Sequence, residues 1–343
     1  MTDWEIFRGE GEPRKEEIVW DEIPAPPWRR FTQNQQTAET ETNKRGKHFI
    51  VPPGAAETVN AAIYLRRPIL VTGKPGAGKT TLAYRIAYEL GLGEVLVWPI
   101  NTRSTLQEGL YYYDAIARLQ DSQLLRGENQ TQTPDIGRYI RLGPLGTAMY
   151  PQKKPRVLLI DEIDKGDIDL PNDLLNLLEE GRFEIRELTR LASQGAEEET
   201  ELETHDGERK PGLGGRIACE QFPIVIMTSN GERDFPLPFK RRCLPLFIDK
   251  PDKTQLAKII RTHFDLDPEN SLSQEIDDLI QKFVAKQKEK DGVLATDQLL
   301  NVVFVLMGDN APTGKARESL IERLLSFLSE DGSTPQPPSE RES

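Results

Sequence analysis

Short apolar runs alternate with amphipathic stretches from Phe49 onward. PILVTG at 68–73, VLVWPI at 95–100, VLLI at 157–160, FPIVIMTSN at 222–230 and LPLFID at 244–249 are apolar almost throughout and read as buried strands. Between them lie helical patterns. VPPG at 51–54 opens a stretch to Arg67 with Val59, Ala62 and Ile63 at helical spacing. KTTLAYRIAYEL at 79–90 sets Leu82, Ile86 and Leu90 on one face and stops at Gly91. PNDLLNLLEEG at 171–181 has proline in its first turn and glycine at its end. Strands that are apolar on both faces and alternate with helices predict an α/β fold, a parallel sheet flanked by helices. After Pro251 the strand pattern ends. Residues 253–264, 271–289, 296–308 and 315–329 all carry helical spacing. The expected organisation is an α/β domain over 49–250 and a smaller all-helical C-terminal domain over 251–329.

Three segments break this pattern. Residues 188–221 interrupt the α/β alternation with the acidic run EEETELE and the turn-rich HDGERKPGLGG, and read as a hairpin-like insertion. Residues 1–48 read as an extended, partly disordered arm. That arm holds Trp4, Trp20 and Trp28, side chains that favour contact over solvent, so it is expected to lie across its own body. The tail at 330–343 reads as disordered.

Composition narrows the class. The chain has 343 residues, with 44 Lys plus Arg against 56 Asp plus Glu, a net charge of −12. Such an excess of carboxylates opposes a broad grip on nucleic-acid phosphates. Two cysteines, Cys219 and Cys243, exclude a disulfide framework and a four-thiolate zinc site. His48, His205 and His263 show no metal-ligand spacing. No apolar run approaches the roughly 18 residues of a membrane span, and the first residues lack an apolar signal core. The expectation is a cytoplasmic protein without a membrane partner.

The strongest chemical signal is GKPGAGKT at 73–80, which matches G-x-x-x-x-G-K-[ST] between a strand and a helix. Gly73, Gly76 and Gly78 free the backbone to turn its N–H groups inward at phosphate oxygens, next to a helix N-terminus. Gly73, Lys74, Pro75, Gly76, Ala77, Gly78, Lys79, Thr80 and Thr81 are the expected nucleotide contacts. Lys79 is suited to the β- and γ-phosphates, and the Thr80 hydroxyl to Mg²⁺. VLLIDEID at 157–164 supplies the second element. Asp161, at a strand end, is the expected second Mg²⁺ contact, and Glu162 the general base for an attacking water. Asp164 reads as a helix or turn cap, and Asp167 and Asp169 as surface carboxylates. No N-K-x-D element follows a strand, which favours ATP over GTP.

FPIVIMTSNGERDFPLPFKRRCLPLFID at 222–249 separates the classes of phosphate-loop protein. A strand ends in Asn230, and Arg241–Arg242 precede the next strand. Together with RPILVTGKPGAGKT and LLIDEIDKGDIDLPNDLLNLLEEGRFEI, this resembles the AAA+ ATPases, and within them the MoxR branch, from about Phe49 to about Leu328. The resemblance implies the P-loop AAA+ sheet with a helical lid, ATP and Mg²⁺ as ligands, and a homo-oligomeric, hexameric ring. It implies that Asn230 orients the attacking water and that one of the two arginines, Arg242 ahead of Arg241, reaches the nucleotide of a neighbouring subunit. A guanidinium suits that task through paired hydrogen bonds to phosphate oxygens. It further implies a basic residue at the start of a late lid helix. Lys315 stands there in place of the usual arginine, with Arg317 close by. Partners of such proteins include clients and von Willebrand factor A-type proteins.

Other features have plainer readings. LYYYD at 110–114 reads as core packing with hydrogen-bonded phenols rather than a substrate-gripping loop. Cys243 reads as a small buried residue, Cys219 as a strand residue in the insertion, and GERDF at 231–235 as a mixed-charge loop suited to a subunit contact. The functions in competition are a ring ATPase that remodels or activates a partner, a nucleotide-gated switch with little hydrolysis, and a small-molecule kinase, for which no acceptor-site signature is present.

Overall fold

The structure, a computed structural model, describes residues 25–26, 40–127, 135–193, 200–266, 274–289, 294–308 and 311–325. Trp4, Trp20 and Trp28, the acidic run at 197–199 and the tail at 330–343 lie outside the described residues. The chain divides into two compact units. One takes in Thr40–Gly73 and Lys79–Ile248; the other takes in Lys74–Gly78 and the described residues from Asp249 onward.

The first unit opens with α1 (Glu41–Lys47), α2 (Ala55–Leu65), β1 (Ile69–Thr72), α3 (Lys79–Leu90) and β2 (Leu96–Pro99). It continues with α4 (Leu106–Leu110), β3 (Tyr111–Tyr113), α5 (Ala115–Gly127), β4 (Ile140–Leu142), α6 (Pro144–Met149), β5 (Val157–Asp161), α7 (Leu170–Glu180) and β6 (Arg182–Glu184). Then come α8 (Arg186–Ala192), β7 (Glu201–Glu203), β8 (Arg209–Pro211), β9 (Arg216–Ala218), β10 (Ile224–Ser229), α9 (Leu237–Arg242) and β11 (Leu244–Phe247). The helical unit contains α10 (Lys253–His263), α11 (Gln274–Glu289), α12 (Thr296–Met307) and α13 (Gly314–Leu324).

The five strands expected from the apolar runs form one parallel sheet in the order β11-β1-β10-β5-β2. Every residue of β10 is buried, as are the first four of β5, which explains their unbroken apolar runs. The edge strand β11 departs from that reading, with Phe247 66% exposed. Leu82 and Ile86 of α3 are buried as their spacing requires, whereas Leu90, in the last turn, is 49% exposed. α7 begins with proline in its first turn and ends at Gly181 in the left-handed region, φ 64°.

The sheet order fixes the function-bearing edge. β10 lies between β1 and β5, with Thr72 beside Ser229 and Met227 beside Ile160. All three strands run the same way, so their carboxyl ends open on one side of the sheet. The strand ends at Thr72, Asp161 and Ser229 therefore lie side by side, with Ser229 in the middle.

Two features were less legible in sequence. Residues 41–47, at the end of the expected arm, form a helix capped by Thr40, whose hydroxyl accepts from Asn43 N. Gly46 of that helix passes so close to α3 that a Cβ there would sit 2.6 Å from Tyr84 O. The insertion supplies the β7–β8 hairpin, which joins β3 and β4 in a second sheet, and β9, which pairs with β6. Cys219 directly follows β9.

The helical unit has its own core, built from Leu256, Ile260, Leu279, Ile280, Phe283, Leu299, Val302 and Val303. α10 starts with a capping box, Asp252 accepting from Gln255 N and Gln255 accepting from Asp252 N. No helix among the described residues is long and apolar enough to cross a membrane.

Candidate functional site

Lys79 is the first residue of α3 and is 7% exposed. A buried ammonium needs acceptors. It donates to Gly73 O at 2.7 Å and to Asn230 Oδ1 at 2.8 Å. Burial lowers its pKa, and the negative charges of Asp161, Asp164 and Glu162, in that order, act against the shift. Gly73, at φ 151°, has no room for a side chain, since a Cβ would lie 2.1 Å from Ile248 O. Gly76, at φ 74°, is similarly confined within the helical unit, where a Cβ would meet Ala295 Cβ at 2.5 Å. Lys74, Pro75 and Gly76 are exposed, Ala77 is buried, and Gly78 and Thr81 are half-buried.

Thr80 follows Lys79 and donates to Asp161 Oδ1 at 3.0 Å. A hydroxyl and a carboxylate side by side are the hard oxygen donors that Mg²⁺ takes, and the remaining positions on such an ion go to water and phosphate. Among the described residues no group of three or more His, Cys, Asp or Glu is placed to hold a metal by itself. The Thr80 hydroxyl and Asp161 carboxylate thus fit a Mg²⁺ held jointly with phosphate.

Asp161 Oδ1 also accepts from the Thr228 hydroxyl at 2.6 Å, and the same hydroxyl accepts from Glu162 N at 2.9 Å. Glu162 is thereby held in the left-handed region, at φ 59° and ψ 48°, an unusual conformation for a side chain of this size. Its Oε1 lies 3.4 Å from Asn230 Nδ2 and its Oε2 accepts from Lys165 Nζ at 2.8 Å. That contact raises the pKa of Lys165. The Asn230 amide therefore faces Lys79 with its oxygen and Glu162 with its nitrogen.

Asp164, 5% exposed, is more than the cap of its own turn. Its Oδ2 accepts from Asn230 N and from Glu232 N, each at 3.1 Å. Arg233 donates to Gly166 O at 2.9 Å and to Asp167 O at 3.3 Å, so the mixed-charge loop is tied within its own chain.

The structure gathers Lys79, Thr80, Asp161, Glu162 and Asn230 into one hydrogen-bonded group. The arginines stand apart from it. Arg242, half-exposed at the end of α9, pairs with Glu179 Oε1 at 2.9 Å, and Arg241 is exposed. In the helical unit Lys315 is exposed, and Arg317 makes two hydrogen bonds to Glu275, at 3.3 and 2.9 Å. There the first turn of α12 meets the phosphate loop, with Thr296 Oγ1 donating to Gly76 O at 3.1 Å.

Thr228, Lys165 and Thr296 escaped the sequence reading. Thr228 had a usable signal, because a hydroxyl inside a strand buried on both faces must find a partner. Tyr111 matches the packing interpretation of its cluster: it is buried, donates to Glu187 Oε2 at 2.9 Å and accepts from Arg186 N at 3.2 Å, while Tyr112 is 63% exposed.

Comparison with known proteins supplies the family. No curated protein matches the chain. Among solved structures, domain III of the replication initiation protein DnaA from Thermotoga maritima is similar at 14% identity, over 80% of this chain and 93% of that one, with a TM-score of 0.39. PCH-2 of C. elegans is similar at 14% identity, over 83% of this chain and 71% of that one, with a TM-score of 0.44. The family model described as AAA domain (dynein-related subfamily) matches residues 68–243, more than half of the chain and the whole stretch from β1 through α9. With its phosphate loop, acidic strand end and parallel sheet inside that stretch, the chain belongs to the AAA domain family, dynein-related subfamily.

Proposed function

We propose that the protein is a MoxR-type ATPase that hydrolyses ATP at the subunit interfaces of a ring and uses the cycle to remodel, assemble or activate a partner protein. The observation that carries the reading is Asn230 standing between Lys79 and Glu162, at 2.8 and 3.4 Å. A cation for the terminal phosphate, a carboxylate for a water proton and a polar side chain joining them are what in-line hydrolysis requires. Glu162 takes the proton as water oxygen bonds to the γ-phosphorus, and the bond to the β-phosphate oxygen breaks to leave ADP. Lys79 offsets charge on the phosphate oxygens, and Asn230 orients the water. Bound Mg²⁺ would neutralise charge on the β- and γ-phosphates, with Thr80 and Asp161 as its protein contacts.

The ring, hexameric by resemblance, is supported by Arg242, and by Arg241 beside it, at the end of a surface helix and outside the Lys79 group. A client presented by a von Willebrand factor A-type partner follows from the same resemblance. A reducing, cytoplasmic setting suits the two free thiols, Cys219 and Cys243. One observation favours a second reading, a nucleotide-gated switch with little hydrolysis: Glu162 is engaged by Lys165.

Steady-state turnover tests both. The ATPase reading expects Mg²⁺-dependent phosphate release whose specific rate climbs with protein concentration, and nucleotide retention by Glu162→Gln. Bound ATP that survives for hours on the unmodified protein selects the switch, and no ATP binding at all removes both.

A further inference from the structure

We infer that Asp164 is a positioning residue for Asn230, the link that fixes the sensor loop against the acidic loop. This rests on the hydrolytic reading above. A carboxylate buried to 5% exposure is retained where neighbours compensate it. Here the hydrogen-bond compensation comes from elsewhere in the chain. The two amides on Oδ2 belong to Asn230 and Glu232, 66 and 68 residues away, and Lys79 and Lys165 are cations that sense its charge. Oδ1 is buried with no hydrogen-bond partner among the described residues, so the hydrogen bonds that orient the side chain there are those of the two amides.

The consequence is geometric. Asp164 follows Glu162 by two residues and holds the backbone of Asn230, while Glu162 faces the side chain of Asn230 at 3.4 Å. The separation of base and sensor is set by one short closed path: Glu162, the turn to Asp164, the Asn230 amide and back. Thr228 closes the matching link from the other strand, through Asp161 and Glu162 N. Arg233 adds a third tie to Gly166 and Asp167. Asp164 is the buried, charged member of this set and the one that touches Asn230 itself.

The test compares Asp164→Ala and Asp164→Asn with the full-length wild type. Amide hydrogen exchange at Asn230 and Glu232, read without nucleotide, is expected to quicken about tenfold or more in Asp164→Ala and to stay near wild type in Asp164→Asn, whose oxygen still accepts. Turnover in Asp164→Ala is expected to fall about 10–100-fold in kcat with KM for ATP unchanged, because a misplaced orienting group costs rate rather than binding. In an Asn230→Ala background the same substitution is expected to cost nothing further. Wild-type exchange rates in Asp164→Ala overturn the inference, as does a kcat loss that persists undiminished without Asn230. Should Asp164→Ala fail to fold, Asp164→Ser takes its place under the same criteria. A wild type that hydrolyses nothing defeats the proposed function, while the exchange measurement still decides the role of Asp164.

Discussion

Lys79 Nζ donates to Asn230 Oδ1 across 151 residues of sequence, and that single 2.8 Å contact joins the phosphate loop to the loop that faces Glu162. Losing either partner has distinct effects. On the proposed function Lys79→Ala removes the cation that would meet the terminal phosphates, so nucleotide affinity should collapse. Asn230→Ala leaves that cation in place and removes only the polar side chain beside Glu162. We expect its kcat to fall about 10²–10³-fold, in the range for loss of one preorganised polar group, while nucleotide binding persists. Equilibrium binding of a fluorescent ATP analogue, set beside phosphate release, separates the two. An Asn230→Ala protein that loses binding and turnover together would mean that the residue serves Lys79 rather than the water.

Lys165 restrains the opposite oxygen of Glu162. The pair is 2.8 Å long, with side chains 40% and 41% exposed. An exposed ion pair holds about 0.2–1 kcal/mol. Removing it by Lys165→Met should therefore free Glu162 with at most about a fivefold rise in turnover. Lys165→Arg, which keeps the pair, should match the wild type. Salt gives an independent check, since screening weakens exposed pairs. Wild-type turnover should rise with ionic strength and that of Lys165→Met should not. If Lys165→Met is slower than wild type, the lysine aids hydrolysis and does not hold it back.

Arg242 leads to a prediction about assembly. Its pairing with Glu179 fixes one edge of the guanidinium through Nε. The closest approach to Glu179 is through Nε and not through the terminal nitrogens. If they reach the nucleotide of a neighbour, Arg242→Ala should lower turnover about 10³-fold or more. Glu162→Gln should be equally inactive, for a different reason. Mixing the two inactive proteins should restore part of the activity, because some interfaces then combine an intact Glu162 with an intact Arg242. Mixed samples no more active than their components would show that both residues act within one chain, and the same experiment on Arg241→Ala assigns the role between the pair.

The sheet and the phosphate loop were legible because their signals are local. Apolar runs that end in glycine or acid report a buried parallel strand and its chemistry together. The links between loops were not legible, because they depend on strand order. Local apolar patterning does not say that β10 lies between β1 and β5, so it shows neither the reach of Asp164 to Asn230 nor that of Thr228 to Asp161. The helical unit shows the same limit. The contact of Thr296, in the first turn of α12, with Gly76 O carries no local sequence signal. Leu90 had helical spacing but sits in a last turn where the covering surface ends.

Cys243, next to Arg242, offers a probe of folding that is independent of catalysis. Burial pushes its thiol from an ordinary value of 9.0 up to about 12, against the weaker pull of the positive charge on Arg67. The folded state therefore keeps a proton that the unfolded chain releases near pH 9. As pH rises from 9 towards 12, ionisation favours the unfolded chain and stability falls, with a limiting slope of about 1.4 kcal/mol per pH unit for this one group. Tyr84, Tyr111, Tyr139 and Tyr150, each raised by burial, push the same way. Urea midpoints recorded between pH 8 and pH 11 should thus decline in the wild type and decline less steeply in Cys243→Ala, with the tyrosines supplying the residual slope. A thiol reagent at pH 8 gives the kinetic counterpart. Only half-buried Cys219 should react in the folded protein, slowly because burial raises its pKa as well, and Cys243 should appear only after denaturation. Rapid modification of both thiols in the native state would mean that the packing between α9 and β11 opens on the time scale of the reaction, and the pH slope assigned to Cys243 would then vanish with it.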